Sequence, residues 1–227
     1  MIRTSLILAC VALLGGCSGM MRTCRRVFDP TSPRERIAMA FNLDDPDRRR
    51  EGIAAKTEDR GWDAEPNLEA YATLAQDPDP LVRGAALGAL GRAGASDYLD
   101  VVVAGLSDRH RRVRLDAAEA LDHLHGDAAV EPLCRFVAEA DDATVRARCA
   151  RALRHYRTRP VLEALVAALN DNAFAVRYEA RRGLRAMTGA DAEYSAAVWR
   201  RTLAAKDDPF VAPEPAVEPV RPWWRLW

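Results

Sequence analysis

Four arginines recur along the chain at intervals of 31, 32 and 31 residues: Arg83, Arg114, Arg146 and Arg177, each directly after a valine. A guanidinium carries five N–H donors in a rigid fork and is always charged. Such a row could bind anions, or each arginine could bridge to an acidic turn or carbonyl of the adjacent repeat. Recurrence favours the bridge, because a stacking residue recurs in every copy while a binding residue varies between copies. Cys134 and Cys149 lie almost equidistant from Asp141-Asp142. On a helical hairpin turning there, the two thiols sit at similar height, open either to a disulfide or to packing as small hydrophobes. His123 and His155 share a place in successive copies, with His125 nearby. One interhelical spacing of about 8–10 Å is too long for a shared metal ion. No Gly-x-Ser-x-Gly, His-Glu-x-x-His or Gly-rich phosphate loop occurs. Catalytic residues, a metal site and a cofactor are therefore not expected.

The elements that position these residues follow from the pattern around each valine. Small residues fall four places on (Ala86, Ala117, Cys149, Ala180) and seven on (Ala89, Ala120, Ala152, Gly183), with a leucine at eight (Leu90, Leu121, Leu153, Leu184). Together with position eleven these make one helical stripe. Acidic turns precede it at Asp77-Pro78-Asp79-Pro80, Ser107-Asp108, Asp141-Asp142 and Asn170-Asp171, where Asp or Asn caps a helix and Pro80 suits its first turn. Gly94, Gly126 and Gly189 follow as terminators. Partner helices are predicted over 68–75, 98–106, 130–137 and 161–169. A fixed period of this size marks a stacked array. The reading is an all-α solenoid of about five hairpins over 32–206, with repeats near 32–60, 66–94, 96–126, 128–157 and 159–189. A capping helix spans 191–206 and holds Tyr194, Val198, Trp199 and Leu203. In the first repeat, Ser32-Pro33-Arg34-Glu35 is a capping box, and Asp45-Pro46-Asp47 echoes Asp77-Pro78-Asp79, which puts Arg50 in the valine's place.

Opposite the buried stripe lie columns at positions three, six and nine: Asp116, Glu119, Asp122; then Arg148, Arg151, Arg154; then Glu179, Arg182, Arg185. Stacked in register, the acidic set faces the basic one, with Glu179 closing the first row. One reading is a salt-bridge ladder that fixes register. The other is a groove with a basic centre of Arg151, Arg154, Arg182 and Arg185 beside Glu119, recognising an acidic segment of a protein partner.

The 33 basic residues balance 33 acidic ones, and only Lys56 and Lys206 are lysines. Neutrality argues against nucleic acid as a partner. Residues 1–16 read as a signal peptide: Arg3, an apolar run from Leu6 to Leu14, then Gly15-Gly16 before Cys17. Residues 17–31 read as a tether. Beyond 207 the chain is rich in proline (209, 213, 215, 219, 222), a composition that favours an extended, poorly helical segment, and it ends in Trp223-Trp224-Arg225-Leu226-Trp227. That tail either docks on the array or contacts something outside it.

The Asp-x-Asp-x-x-Val-Arg-x-x-x-Ala-x-x-Ala-Leu pattern resembles the short HEAT-like repeats of phycobilisome lyases. Leu14-Gly15-Gly16-Cys17 resembles the lipobox of bacterial lipoproteins, although an ordinary cleaved signal with an incidental cysteine would look similar. Together with Thr188-Gly189-Ala190-Asp191 and Trp199, these features resemble bacterial HEAT-repeat lipoproteins. That resemblance implies a lipid anchor at Cys17 and, with Ser18 following, an outer-membrane address facing the periplasm. It implies that the charge columns line a concave face, and a non-catalytic scaffold binding envelope proteins. The alternative it leaves open is an enzyme accessory, lyase-like, acting on a chromophore or thiol substrate.

Overall fold

A computed structural model describes residues 44–58, 61–205 and 208–210. The signal segment, Cys17, the tether, the Ser32 capping box and the tail from 211 onward lie outside the described residues. Ten α-helices are present among those described, and no strand: α1 (Pro46–Lys56), α2 (Asn67–Leu74), α3 (Pro80–Ala93), α4 (Leu99–Ala104), α5 (Arg111–Ala120), α6 (Val130–Glu139), α7 (Ala143–Leu153), α8 (Arg159–Ala168), α9 (Phe174–Thr188) and α10 (Ala196–Ala204). None is long and apolar enough to cross a membrane.

The helices form two layers. Odd-numbered helices, the second of each hairpin, stack in the order α1, α3, α5, α7, α9; in the even-numbered layer α6, α8 and α10 follow one another. Thus α10 stands where the first helix of a further repeat would stand. It is held there by Trp199, fully buried, whose indole N–H donates to the Glu193 carbonyl at 2.9 Å. The fold is an all-α solenoid.

Local chemistry explains the boundaries. Asp79 accepts from the N–H groups of Leu81 and Val82 at 2.8 and 3.1 Å, and Asp142 from Thr144 and Val145 at 2.8 and 3.2 Å. These bonds satisfy donors that have no partner within the helix. Gly94 and Gly189 close α3 and α9 in the left-handed conformation, with φ of 64° and 66°. Gly126 does not act as the third terminator expected: α5 ends at Ala120, and Leu121 to His123 form a turn that brings Leu124 into the core. The first helix expected over 98–106 is also broken. α4 is flanked by 3-10 turns at Ser96–Tyr98 and Gly105–Ser107, in keeping with the low helix propensity of the β-branched run Val101-Val102-Val103.

Packing follows the stripe. Val82, Val113, Val145 and Val176 are at most 1% exposed, and Leu90, Leu121, Leu153 and Leu184 are fully buried. Small residues between them let the odd-numbered helices approach closely, most of all at Gly91, where a Cβ would lie 2.6 Å from Ala120 Cα. Gly91→Ala should therefore cost about 1–3 kcal/mol through overpacking against backbone. On the same helix a Cβ at Gly88 would meet only the Arg92 guanidinium at 3.4 Å. Gly88→Ala should therefore be neutral or stabilising by up to about 1 kcal/mol. Urea unfolding of the two variants checks the contrast, and equal effects would contradict it.

Candidate functional site

Each repeat arginine first grips its own turn. Nη1 of Arg83 donates to the carbonyls of Asp77 and Pro78 at 2.8 and 3.0 Å, that of Arg114 to Asp108 and Arg109 at 2.9 and 3.2 Å. Arg146 binds Ala140 and Asp141 at 2.7 and 3.1 Å, and Arg177 binds Asp171 and Asn172 at 2.7 and 2.9 Å. The carbonyls thus belong to the arginine's own turn rather than to the adjacent repeat. The other edge of the guanidinium reaches forward. Nε and Nη2 of Arg83 donate to Asp108 at 2.8 and 2.9 Å, and those of Arg146 to Asp171 at 2.7 and 3.0 Å. One planar fork thereby ties two successive turns together, a bidentate geometry that lysine cannot reproduce. Burial pushes the Asp108 carboxyl up, but the bonds from Arg83 and the His110 N–H outweigh it and hold it below the usual range. The Arg146 bonds likewise hold Asp171 down against burial.

A third clamp departs from the sequence alignment. Asp45, not Asp47, caps α1, so Arg48 occupies the valine's place and Arg49 the arginine's; Arg50 sits one place beyond. Arg49 Nε lies 2.7 Å from Asp77, with both side chains only 7% exposed. The missed signal was the spacing Asp-Pro-x-x-Arg, common to Asp45-Pro46…Arg49 and Asp79-Pro80…Arg83. In contrast, Arg114 has no forward carboxylate. The acids that receive the clamps, Asp77, Asp108 and Asp171, each lie two residues before a helix cap, and before α7 that place holds Ala140. Arg111 substitutes by pairing with the cap Asp142, whose carboxyl the Arg111 bond lowers to about 2.

The charge columns pair, though not row by row. Arg148 reaches Glu119, while Asp116 turns to Arg112 on its own helix at 2.9 Å. Glu179 does not close the first row; it lies 3.7 Å from Arg182. Asp122, 5% exposed, is the hub: Arg151 reaches it at 2.7 Å, Arg154 at 3.2 Å and His155 Nε2 at 3.1 Å. Burial would raise its carboxyl, but the bonds from His155 and Arg151 leave it net lowered. The ring packed against His155 is that of His125, with centroids 4.1 Å apart and planes tilted by 37°, rather than His123. Among the described residues no group of His, Cys, Asp and Glu could hold a metal ion. Arg185 lies 3.3 Å from Asp191, which also takes a bidentate pair from Arg181. Arg151, Arg154, Arg182 and Arg185 thus each face a carboxylate, but Arg151 and Arg154 share Asp122, and Arg185 shares Asp191 with Arg181, so both clusters keep a positive excess. Cys134 and Cys149 are free thiols. Burial pushes both up, Cys149 to about 12, so each packs as a hydrophobe.

Two open features of the second-helix layer remain. Across α1, α3 and α5 runs a trough, because α3 carries Gly84, Ala85 and Gly88 where α5 carries larger side chains; its walls include Arg50, Arg112, Asp116 and Glu119. At the far end, Tyr178, Arg181, Arg182, Arg185 and Tyr194 line a second depression.

Two outcomes are expected for the turns and the hub. Ala140→Asp should give Arg114 its missing carboxylate and raise stability by about 1 kcal/mol, a gain abolished by Arg114→Ala and read by urea unfolding. An unchanged or lowered stability would contradict the assignment. His155 is lowered, chiefly by burial, from an ordinary value of 6.5. Its neutral form is the folded one, so its contribution is complete above that value and is lost as pH falls through it. The clamp carboxylates, lowered from 3.8, keep their contribution above that value and lose it as pH falls further. His155→Gln should flatten the stability profile between about pH 7 and 5 while leaving the loss below about pH 4.

Residues 68–154 match the family model described as HEAT repeats, and residues 145–171 that of the PBS lyase HEAT-like repeat. Comparison with curated proteins gives no match. Among solved structures, the YibA protein of E. coli is similar at 16% identity and a TM-score of 0.58, covering 81% of this chain and 74% of its own. An engineered protein reaches 20% and 0.57, with 78% and 93% covered. A computationally designed armadillo repeat protein for modular peptide recognition reaches 14% and 0.52, with 78% and 94% covered. At these identities the likeness speaks for the fold. With the clamped turns and the two layers, the matches make residues 68–171 an array of HEAT-type repeats.

Proposed function

We propose that the chain is a non-catalytic scaffold, anchored through a lipid on Cys17 in the cell envelope, that holds an extended segment of a protein partner across its second helices. The observation that carries the binding half is the trough over α1, α3 and α5. Its floor is made of Gly84, Ala85 and Gly88, and its walls carry both charges, so an extended backbone could lie close to the helices while its side chains pair with either wall. The row behind it is held rigid by buried clamps, so little order would be lost on binding. The designed armadillo protein for peptide recognition shares this fold, which supports a peptide-like ligand. The anchoring half rests on Leu14-Gly15-Gly16-Cys17, and the outer membrane facing the periplasm on Ser18.

The lyase-like alternative draws on the PBS lyase HEAT-like match. Against it, the thiols of Cys134 and Cys149 are shifted away from the reactive thiolate.

Both halves are testable in cells. Palmitate should label the wild type and not Cys17→Ser; equal labelling would overturn the anchor. A photo-crosslinking residue at exposed Arg92, on the trough, should give a discrete partner adduct, and one at exposed Glu163 on α8 should not. Equal adducts from both positions, or none from Arg92, would contradict the trough as the binding face.

A further inference from the structure

The turn after α10 repeats the device that launches the second helices. Asp208 accepts from the Phe210 N–H at 2.9 Å. Asp77 does the same for Asp79 at 2.8 Å, Asp108 for His110 at 2.7 Å and Asp171 for Ala173 at 2.7 Å. In those three cases the chain leaves the turn into the second layer, against the previous odd-numbered helix. Pro209 is buried and Phe210 packs on the core, so the fourth turn is seated as part of the array. An exit like that of the three other turns would carry the chain toward the layer beside α9.

The face that α9 offers there differs from its counterparts. The position five after the repeat valine is Leu87, Ala118 and Ala150 in α3, α5 and α7, each at most 1% exposed. On α9 it is Arg181, with Tyr178 47% exposed and Phe174 60% exposed on the same stripe. Phe174 lies 6.1 Å from Tyr178 and 5.9 Å from Tyr194, centroid to centroid, and Arg181 stands 4.9 Å above the Tyr194 ring. This is an aromatic surface interleaved with guanidinium groups. A surface of that kind suits proline rings and carboxylates.

Residues 211–222 supply both. Their prolines at 213, 215, 219 and 222 disfavour a further helix, and Glu214 and Glu218 lie between them. In a three-residue polyproline repeat, Pro213, Pro219 and Pro222 share one face and the two glutamates lie on the others. We propose that residues 211–222 lie extended across the Phe174–Tyr178–Tyr194 cluster, with Glu214 and Glu218 projecting to either side among Arg181, Arg182 and Arg185, capping α9 in place of another second helix. This goes beyond the scaffold reading and does not depend on it, since the trough lies at the other end of the array.

The test is photo-crosslinking in the purified full chain, with benzoylphenylalanine at Tyr178 and, separately, at Phe174, both exposed. Isotopically heavy and light chains are mixed before irradiation and adducts mapped by mass spectrometry. Adducts should join the probe to residues 211–222 of the same chain, at a yield independent of concentration. The double variant Glu214→Lys/Glu218→Lys should lower that yield about fivefold or more, the loss of two exposed ion pairs. Heavy–light adducts would mark a second copy as the occupant. Those adducts, the absence of adducts within 211–222, or insensitivity to charge reversal would each overturn the proposal.

Discussion

The array depends on one planar group used twice. At Arg83 and Arg146 the guanidinium gives Nη1 to two carbonyls of the turn that precedes its own helix, then gives Nε and Nη2 to a carboxylate in the next turn. Turns are where a helical hairpin is least determined, since their backbone groups lack helical partners. The clamp satisfies carbonyls there and fixes the distance to the next hairpin. Arg49–Asp77 and Arg83–Asp108 are largely buried, so removing one partner strands the other at a cost greater than the pair's net gain. Stacked alanine and glycine columns bring the odd-numbered helices close, and the clamps set their register.

A requirement of this kind leaves a periodic trace, which is why the fold could be read from the sequence. Val-Arg at a 31–32-residue beat, with small residues at four and seven and leucine at eight, specifies a helix that is buried along one stripe and closely stacked. The clamp that the sequence reading missed, at Arg49, lost its trace because Arg48 replaced the valine; aligning on Asp-Pro-Asp then shifted the register by two. Charge pairing was legible only by column. Which carboxylate an arginine reaches depends on side-chain length and burial, so Asp122 collects three partners while Asp116 turns back to its own helix. The break of α4 was hidden for a related reason, since its Val-Val-Val run fits the amphipathic pattern while weakening the helix itself.

The same economy separates structure from surface. The recurring arginines are occupied by the fold, and Arg151 and Arg154 both engage one buried aspartate. Open chemistry is left where repeats are irregular: at α3, where Gly84, Ala85 and Gly88 line the trough, and at α9, the last second helix among the described residues. The first makes a trough of mixed charge; the second presents aromatics and arginines where other repeats bury an aliphatic residue. An array built this way confines recognition to its irregular members.

The central claim is that the forward half of each clamp carries energy between repeats. A double-mutant cycle on Arg146 and Asp171, both to Ala, measures it directly by urea unfolding, with Arg114 and Ala140→Ser as the pair lacking a carboxylate. The account expects a coupling of about 1.5–3 kcal/mol for the first pair and about zero for the second. Equal couplings, or none for Arg146 and Asp171, would show that the beat marks helix packing alone and that the clamp does not hold the array.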